Sequence, residues 1–424
     1  MTTNKEIIAL INREVVPALG CTEPIAAALA AAKAREVLGV IPEKIVLSVS
    51  GNILKNAMAV GIPGTGMTGL PIAVALGAVG GDPSQGLEVL SGVNEEQLAL
   101  ARSMVSDHRV QILHKPQPEM IFIECLAEQG SDRAKVVIRH QHTNITYIEK
   151  NGEVLHEAAD NKAGKPLRAE YPELSVERIY KFATESSFDD IQFILEAAEL
   201  NMVVAREGLT NEYGMQVGKK SVEFINRGIL HEDIKVYAMA ITSAASDARM
   251  DGCTLPVMTN SGSGNQGITA TLPVCAVAEK LDSSEEQLAR ALILSNTITI
   301  HIKSYMGRLS ALCGVLVAAT GAAAGITYLL GGSYTQITYA VKNMVGGITG
   351  MICDGAKVGC ALKVSAATSS AVQTALLAMD NIGISHLDGI IDEDIEETIR
   401  NVGLIGAEGM VETDKLILRT MLRK

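Results

Sequence analysis

Three cysteines late in the chain, Cys313, Cys353 and Cys360, are the residues best placed to do chemistry. Cys313 sits in GRLSALCG (307–314), and the other two bracket the turn in ICDGAKVGC (352–360). On a straight helix Cys353 and Cys360 would lie about 10 Å apart, too far to grip one small ion or cluster. Asp354-Gly355 and Gly359 are turn and breaker residues, so the segment can fold back and bring the sulfurs together. Three converging thiolates suit soft metals, above all an iron–sulfur cluster. Three ligands on a four-iron cluster leave one iron open to act as a Lewis acid on a substrate. On spacing alone the same cysteines also fit plain core packing.

A second thiol has a chemical setting of its own. Cys21-Thr22-Glu23-Pro24 reads as a helix start, with Thr22 as N-cap, Glu23 at the positive end of the dipole and Pro24 in the first turn. Cys21 then stands just outside the helix, where a lowered pKa would let it take a proton from a substrate. The alternative is an unreactive half-buried thiol.

Donors for a small carboxylate occur in three places. Asn52, Lys55 and Asn56 follow a predicted strand ending at Ser50. Thr65 lies in GIPGTGMTG (61–69), and Ser261, Ser263, Asn265 and Gly267 lie in SGSGNQG (261–267), each before a predicted helix. Such turns offer free backbone N–H groups to anions. The first is a near miss for a phosphate loop, with Met67 where the lysine should stand, which excludes an NTPase. Both turns also spell GxGxxG, but Asp82, Glu279 and Asp282 come too early to serve a dinucleotide ribose. Lys303, expensive to bury, is expected to reach a polar cavity or the surface and is the second choice for acid/base work.

GRLSALCG followed by ICDGAKVGCALKVS resembles the catalytic part of the iron–sulfur L-serine dehydratase alpha-chain superfamily. With Gly20-Cys21-Thr22-Glu23-Pro24 added, the whole chain resembles its L-cysteine desulfidase branch. The resemblance implies a [4Fe-4S] cluster on Cys313, Cys353 and Cys360, with Cys21 as catalytic base or labile cluster ligand. It also implies substrate binding at the 261–267 turn and β-elimination from a small L-amino acid, giving pyruvate, ammonia and sulfide. Members of the superfamily often carry a C-terminal cysteine that reaches back to the site. This chain ends Met421-Leu422-Arg423-Lys424, which puts serine as the preferred substrate in question, and the Cys21 motif favours cysteine. Alternative readings are serine dehydration, the same elimination through pyridoxal phosphate, and a cysteine or redox sensor that binds without turnover.

The elements that must hold these residues follow from composition and period. The 424 residues are 47% hydrophobic but only 3% aromatic, with no Trp and 39 Gly, so the core must be Ala, Val, Ile, Leu and Met at close approach. An α+β fold is expected. Residues 1–165 form a small mixed domain whose alternating stretches between 109 and 157 make an antiparallel sheet. The polar stretch 158–175 is the linker, and 166–424 form a larger helical catalytic domain. The histidines of the sheet, among them His140 and His142, read as packing residues, as do Cys125, Cys253 and Cys275. A net charge of −12 argues against nucleic acid. The uncharged runs 56–81, 252–278 and 309–341 are rich in Gly and Ala and lack Trp anchors, so they read as buried segments rather than membrane spans. Seven scattered cysteines are no disulfide framework and point to a reducing cytoplasm. The partners expected are a small amino acid and, at most, further copies of the chain.

Overall fold

The computed structural model describes residues 2–117, 119–158, 171–307 and 309–423. Most of the expected linker, and Arg308, lie outside the described residues. The fold is α+β, as expected: a sheet in the N-terminal part and a helical C-terminal part.

In chain order the first part runs α1 (Asn4–Glu14), β1 (Pro17–Ala18), α2 (Thr22–Leu38), β2 (Lys44–Val49), α3 (Gly51–Ala57), α4 (Leu70–Gly80) and α5 (Glu95–Ser106). The strands β3 (Val110–His114), β4 (Phe122–Gln129), β5 (Asp132–Arg139), β6 (Ile145–Lys150) and β7 (Glu153–Glu157) follow. The sheet order is β3-β2-β4-β5-β6-β7. It is antiparallel except that β3, reached from β2 by the crossover through α3, α4 and α5, pairs parallel with β2. Period-two alternation puts Ile45, Leu47 and Val49 on one face, opposite Ala127, Cys125 and Ile123 of β4. The alanines of α2 pack with them in one core.

The second part contains α6 (Val176–Glu185), α7 (Phe188–Ile191), α8 (Leu195–Thr210), α9 (Val217–Asn226), α10 (Ile234–Met250) and the short strand β8 (Val257–Met258). It continues with α11 (Gly264–Lys280), α12 (Glu285–Met306), α13 (Gly314–Leu329), α14 (Tyr334–Ile348) and α15 (Cys360–Met379), then α16 (Ile395–Leu404) and α17 (Val411–Met421). Among the described residues no helix is long and apolar enough to cross a membrane. With so few aromatic side chains, the helices approach through small residues. A Cβ on Gly321 of α13 would stand 2.2 Å from the Ser295 carbonyl oxygen of α12.

Two crossings tie the parts together near the cysteines. The apolar face of α1, Ile7, Leu10 and Ile11, is buried in the helical core rather than the sheet's. Immediately after it, β1 pairs antiparallel with β8 (Pro17↔Met258, Ala18↔Val257). At the other end of the chain, Leu418 of α17 packs against the sheet's core.

Gly321→Ala should therefore lower stability by about 1–3 kcal/mol through overpacking. Gly347→Ala in α14, where the added Cβ meets nothing within 4 Å, should leave stability unchanged or raise it by up to about 1 kcal/mol. Denaturant midpoints of the two variants against the parent check this pair.

Candidate active site

The β1–β8 ladder sets the first functional group in place. It carries the chain directly from α1 to Cys21, beside the turn that opens α11; Ser261 N–H donates to the Glu14 carbonyl (2.9 Å) and Thr22 Oγ1 to the Gly262 carbonyl (3.3 Å). Cys21 itself is the N-cap of α2, and Thr22 is the first helical residue instead of the cap. The Cys21 thiol donates to Glu23 Oε2 (3.2 Å), which also accepts from Thr22 Oγ1 (3.1 Å), while Oε1 accepts from Asn56 Nδ2 (2.9 Å). Burial would lift the Glu23 carboxyl, but the His142 charge and the donors Cys21 and Asn56 outweigh it and hold the group below the usual carboxylate range.

Cys21 goes the other way from the sequence expectation. Burial, followed by the neighbouring Glu23 carboxylate, drives its pKa far up, and the Arg249 charge offsets only part of this. A helix terminus is worth about 0.3–1 kcal/mol to a nearby charge, whereas full burial of an ionisable group shifts pKa by up to about 3–5 units. Desolvation wins, so the resting group is a thiol hydrogen-bonded to a carboxylate.

The three late cysteines reach the same place by a different device. Leu312 and Ile352 form an antiparallel bridge, with Cys313 N–H donating to the Met351 carbonyl (2.9 Å) and Cys353 N–H to the Ala311 carbonyl (2.7 Å). Cys313 is thus paired with residue 351, and residues 351 and 353 face the same side, so both cysteines project from one face of the ladder. The chain then turns back at Gly355, φ +91°, where a Cβ would strike the Lys55 carbonyl oxygen at 2.2 Å. Asp354 fixes this loop through ion pairs to Lys357 and Lys363; burial opposes its ionisation, but the two lysines outweigh burial and bring the carboxyl to about 2. Cys360 begins α15, with its sulfur 3.7 Å from the Gly355 carbonyl oxygen.

All four thiols line one cavity of about 110 Å³, together with Ser261, Ser263, Asn265 and Lys303. Cys313 caps α13 and Ser263 caps α11, so the N-termini of α2, α11, α13 and α15 open onto this cavity. Burial and then the neighbouring Cys353 push the Cys313 thiol up to about 12, and the same two causes, with Lys357 and Lys363 opposing them, raise Cys360. Among the described residues no three His, Cys, Asp or Glu side chains stand together as a single-ion site. A four-iron cluster takes one thiolate per iron, so its ligands stand about 6–7 Å apart, wider than those of one ion. Three soft donors on a cavity wall ringed by helix N-termini match that requirement in chemistry.

Four residues singled out from the sequence lie elsewhere. Asn52 and Lys55 bind a carboxylate, but it is the chain's own: Asn52 Nδ2 donates to Asp414 Oδ2 (2.6 Å) and the buried Lys55 ammonium pairs with Asp414 Oδ1. Lys55 also donates to the Cys353 carbonyl (3.4 Å). Thr65 closes its own turn, donating to the Ile62 carbonyl (2.8 Å) and accepting from Met67 N–H (3.0 Å). Gly267 is needed for packing, since a Cβ there would stand 2.1 Å from the Met258 carbonyl oxygen.

The cavity also takes in Asn56, which the sequence placed among the carboxylate donors beside Lys55, and His142, Arg249 and Gln266, which it did not single out as site residues. His142 reads locally as one more strand-end histidine, and only the tertiary fold brings it to Glu23. Arg249 could have been noticed as one of two charges in the otherwise small and apolar stretch 238–250 of α10.

Because the Glu23 carboxylate holds the Cys21 thiol in its protonated form, Glu23→Gln should lower the Cys21 pKa. Alkylation of Cys21 in cluster-free protein, followed by peptide mass spectrometry, should then begin at lower pH in the variant than in the parent. An unmoved profile would show that burial alone sets the thiol.

Residues 84–419 match the serine dehydratase alpha chain family. The sequence is 52% identical over 421 residues to the UPF0597 protein of Parabacteroides distasonis, covering 99% of this chain and 98% of the relative. It is 49% identical over 417 residues to the UPF0597 protein of Oleidesulfovibrio alaskensis (98% and 97% covered) and 46% over 422 residues to that of Aeromonas hydrophila (99% and 96%). The family match contains the three late cysteines and the α11 turn; the full-length relatives also span Cys21 and Glu23. This chain belongs to the serine dehydratase alpha-chain family.

Proposed function

We propose that the protein is a β-eliminating lyase acting on a three-carbon L-amino acid, with L-cysteine as substrate and pyruvate, ammonia and sulfide as products. The observation that carries this reading is the meeting of Cys313, Cys353 and Cys360 with the Cys21–Glu23 pair on one buried cavity. Cys313, Cys353 and Cys360 would hold a [4Fe-4S] cluster. When bound, such a cluster supplies a Lewis-acidic iron for the departing β-substituent. Lys363, paired with Asp354 and close enough for Cys313 and Cys360 to raise its pKa, offsets part of the thiolate charge. The free state of all seven cysteines suits a reducing compartment, the cytoplasm.

The chain's own residues supply the proton path. Cys21 Sγ takes the Cα proton as its own proton passes along the existing hydrogen bond to Glu23 Oε2. The electrons of the C–H bond form the Cα=Cβ bond and the C–S bond breaks, leaving sulfide and 2-aminoacrylate. Water hydrolyses the aminoacrylate to pyruvate and ammonia. Ser261 and Ser263 contribute hydroxyls beside the N-terminus of α11, and buried Lys303, in the last turn of α12, adds positive charge to the wall. A cavity of about 110 Å³ favours substrates of few heavy atoms. Dehydration of L-serine in the same site is the second reading, because it breaks a C–O bond by the same proton path.

Anaerobically purified, cluster-loaded protein should release sulfide and pyruvate in equal amounts from L-cysteine. Pyruvate from L-serine alone would favour the second reading, and neither product from either substrate would sink both. Cys21→Ala should keep the cluster absorbance yet lose about 10²–10⁴-fold in rate, the usual range for a general base. Cys353→Ala should lose the absorbance itself.

A further inference from the structure

Arg249 is buried, only 5% exposed, in the last turn of α10 on the cavity wall. Among the described residues no carboxylate pairs with it. A guanidinium carries five N–H donors, and three of them have partners: Nη1 donates to Asn265 Oδ1 (3.2 Å) and Met250 Sδ (3.9 Å), and Nη2 to the Gly20 carbonyl (3.1 Å). All three partners are uncharged, and Nε is buried with no partner at all. Leaving a buried ion without a counter-charge is strongly unfavourable. The fold nevertheless makes room for this cation. Gly264, the first residue of α11, is the reason it fits: a Cβ there would stand 2.1 Å from Nε and 2.6 Å from Cζ. The opposite polarity is present on the same wall. Asn56 Oδ1 and Gln266 Oε1 are buried acceptors without donors, and the ionised Glu23 lies beside Asn56.

From this arrangement we infer that Arg249 is the carboxylate receptor of the site, a specificity-determining residue that seats the α-carboxylate of an L-amino acid. Its uncommitted donors, with the N-terminus of α11 beside them, give the planar fork that a carboxylate takes. The Asn56 and Gln266 acceptors of the same cavity receive the α-ammonium. Through Nη2 the same guanidinium holds the Gly20 carbonyl, one residue before Cys21, so the carboxylate and the proton-accepting thiol are referenced to one rigid group. The assignment rests on the lyase reading for the identity of the ligand, but not for the presence of an unpaired buried cation.

The test uses L-alanine, which has no leaving group, and L-alaninamide, which lacks the carboxylate, titrated calorimetrically into cluster-loaded protein. The parent should bind L-alanine at least 10-fold more tightly than the amide. Arg249→Gln should abolish that preference, Arg249→Lys should restore part of it, and Gly264→Ala should reproduce the loss by unseating the guanidinium. If the parent shows no preference, or if the preference survives in Arg249→Gln protein with a native melting profile, the assignment is overturned. Sulfide release from L-cysteine by the same parent preparation reports separately on the lyase reading.

Discussion

A buried cavity that receives the N-termini of α2, α11, α13 and α15 is short of negative charge, and the surrounding residues answer that shortage in different ways. Arg249 and Lys303 add to the positive side, while Glu23 is the ionised carboxylate on the wall. The thiols do not relieve the deficit at rest, because burial lifts Cys313 to about 12 and Cys21 higher still. Helix termini at about 0.3–1 kcal/mol each are too weak to ionise them. A multivalent cation is a much stronger agent, since coordination deprotonates a thiol outright. At rest the thiols are therefore neutral, and the helix ends are positioned to stabilise any negative charge that forms there.

How much of this could be read from the residues depends on the range over which each is fixed. The return of the 353–360 loop was legible because Gly355 announces a positive φ locally. The pairing of Cys313 with that loop, across a β-bridge between residues 312 and 352, was not encoded in either motif alone. The turn at 261–267 was found through its hydroxyls and glycines, and the fold gives several of these residues a structural use. Ser263 caps α11, but Gly264 and Gly267 are there for the space they leave to Arg249 and β8. Glycines that admit a neighbour look the same in sequence as glycines that cradle an anion.

Asn52 and Lys55 carry the same lesson in another form. Their donors do bind a carboxylate, so the chemistry was read correctly, but its source is Asp414, more than 350 residues away. The Cys21 pKa failed for a related reason. A helix start can be recognised from four residues, whereas the burial that overrides it comes from Val60 and Met250, which only the fold brings alongside.

Asp414 also bears on how the molecule is made. It holds Lys55, Lys55 holds the Cys353 carbonyl, and Gly355 rests on the Lys55 backbone. The loop that carries Cys353 and Gly355 thus leans on α17, which itself packs against the sheet's core. The cysteine-lined wall is therefore shared by both parts of the fold, and neither part folded by itself would present it.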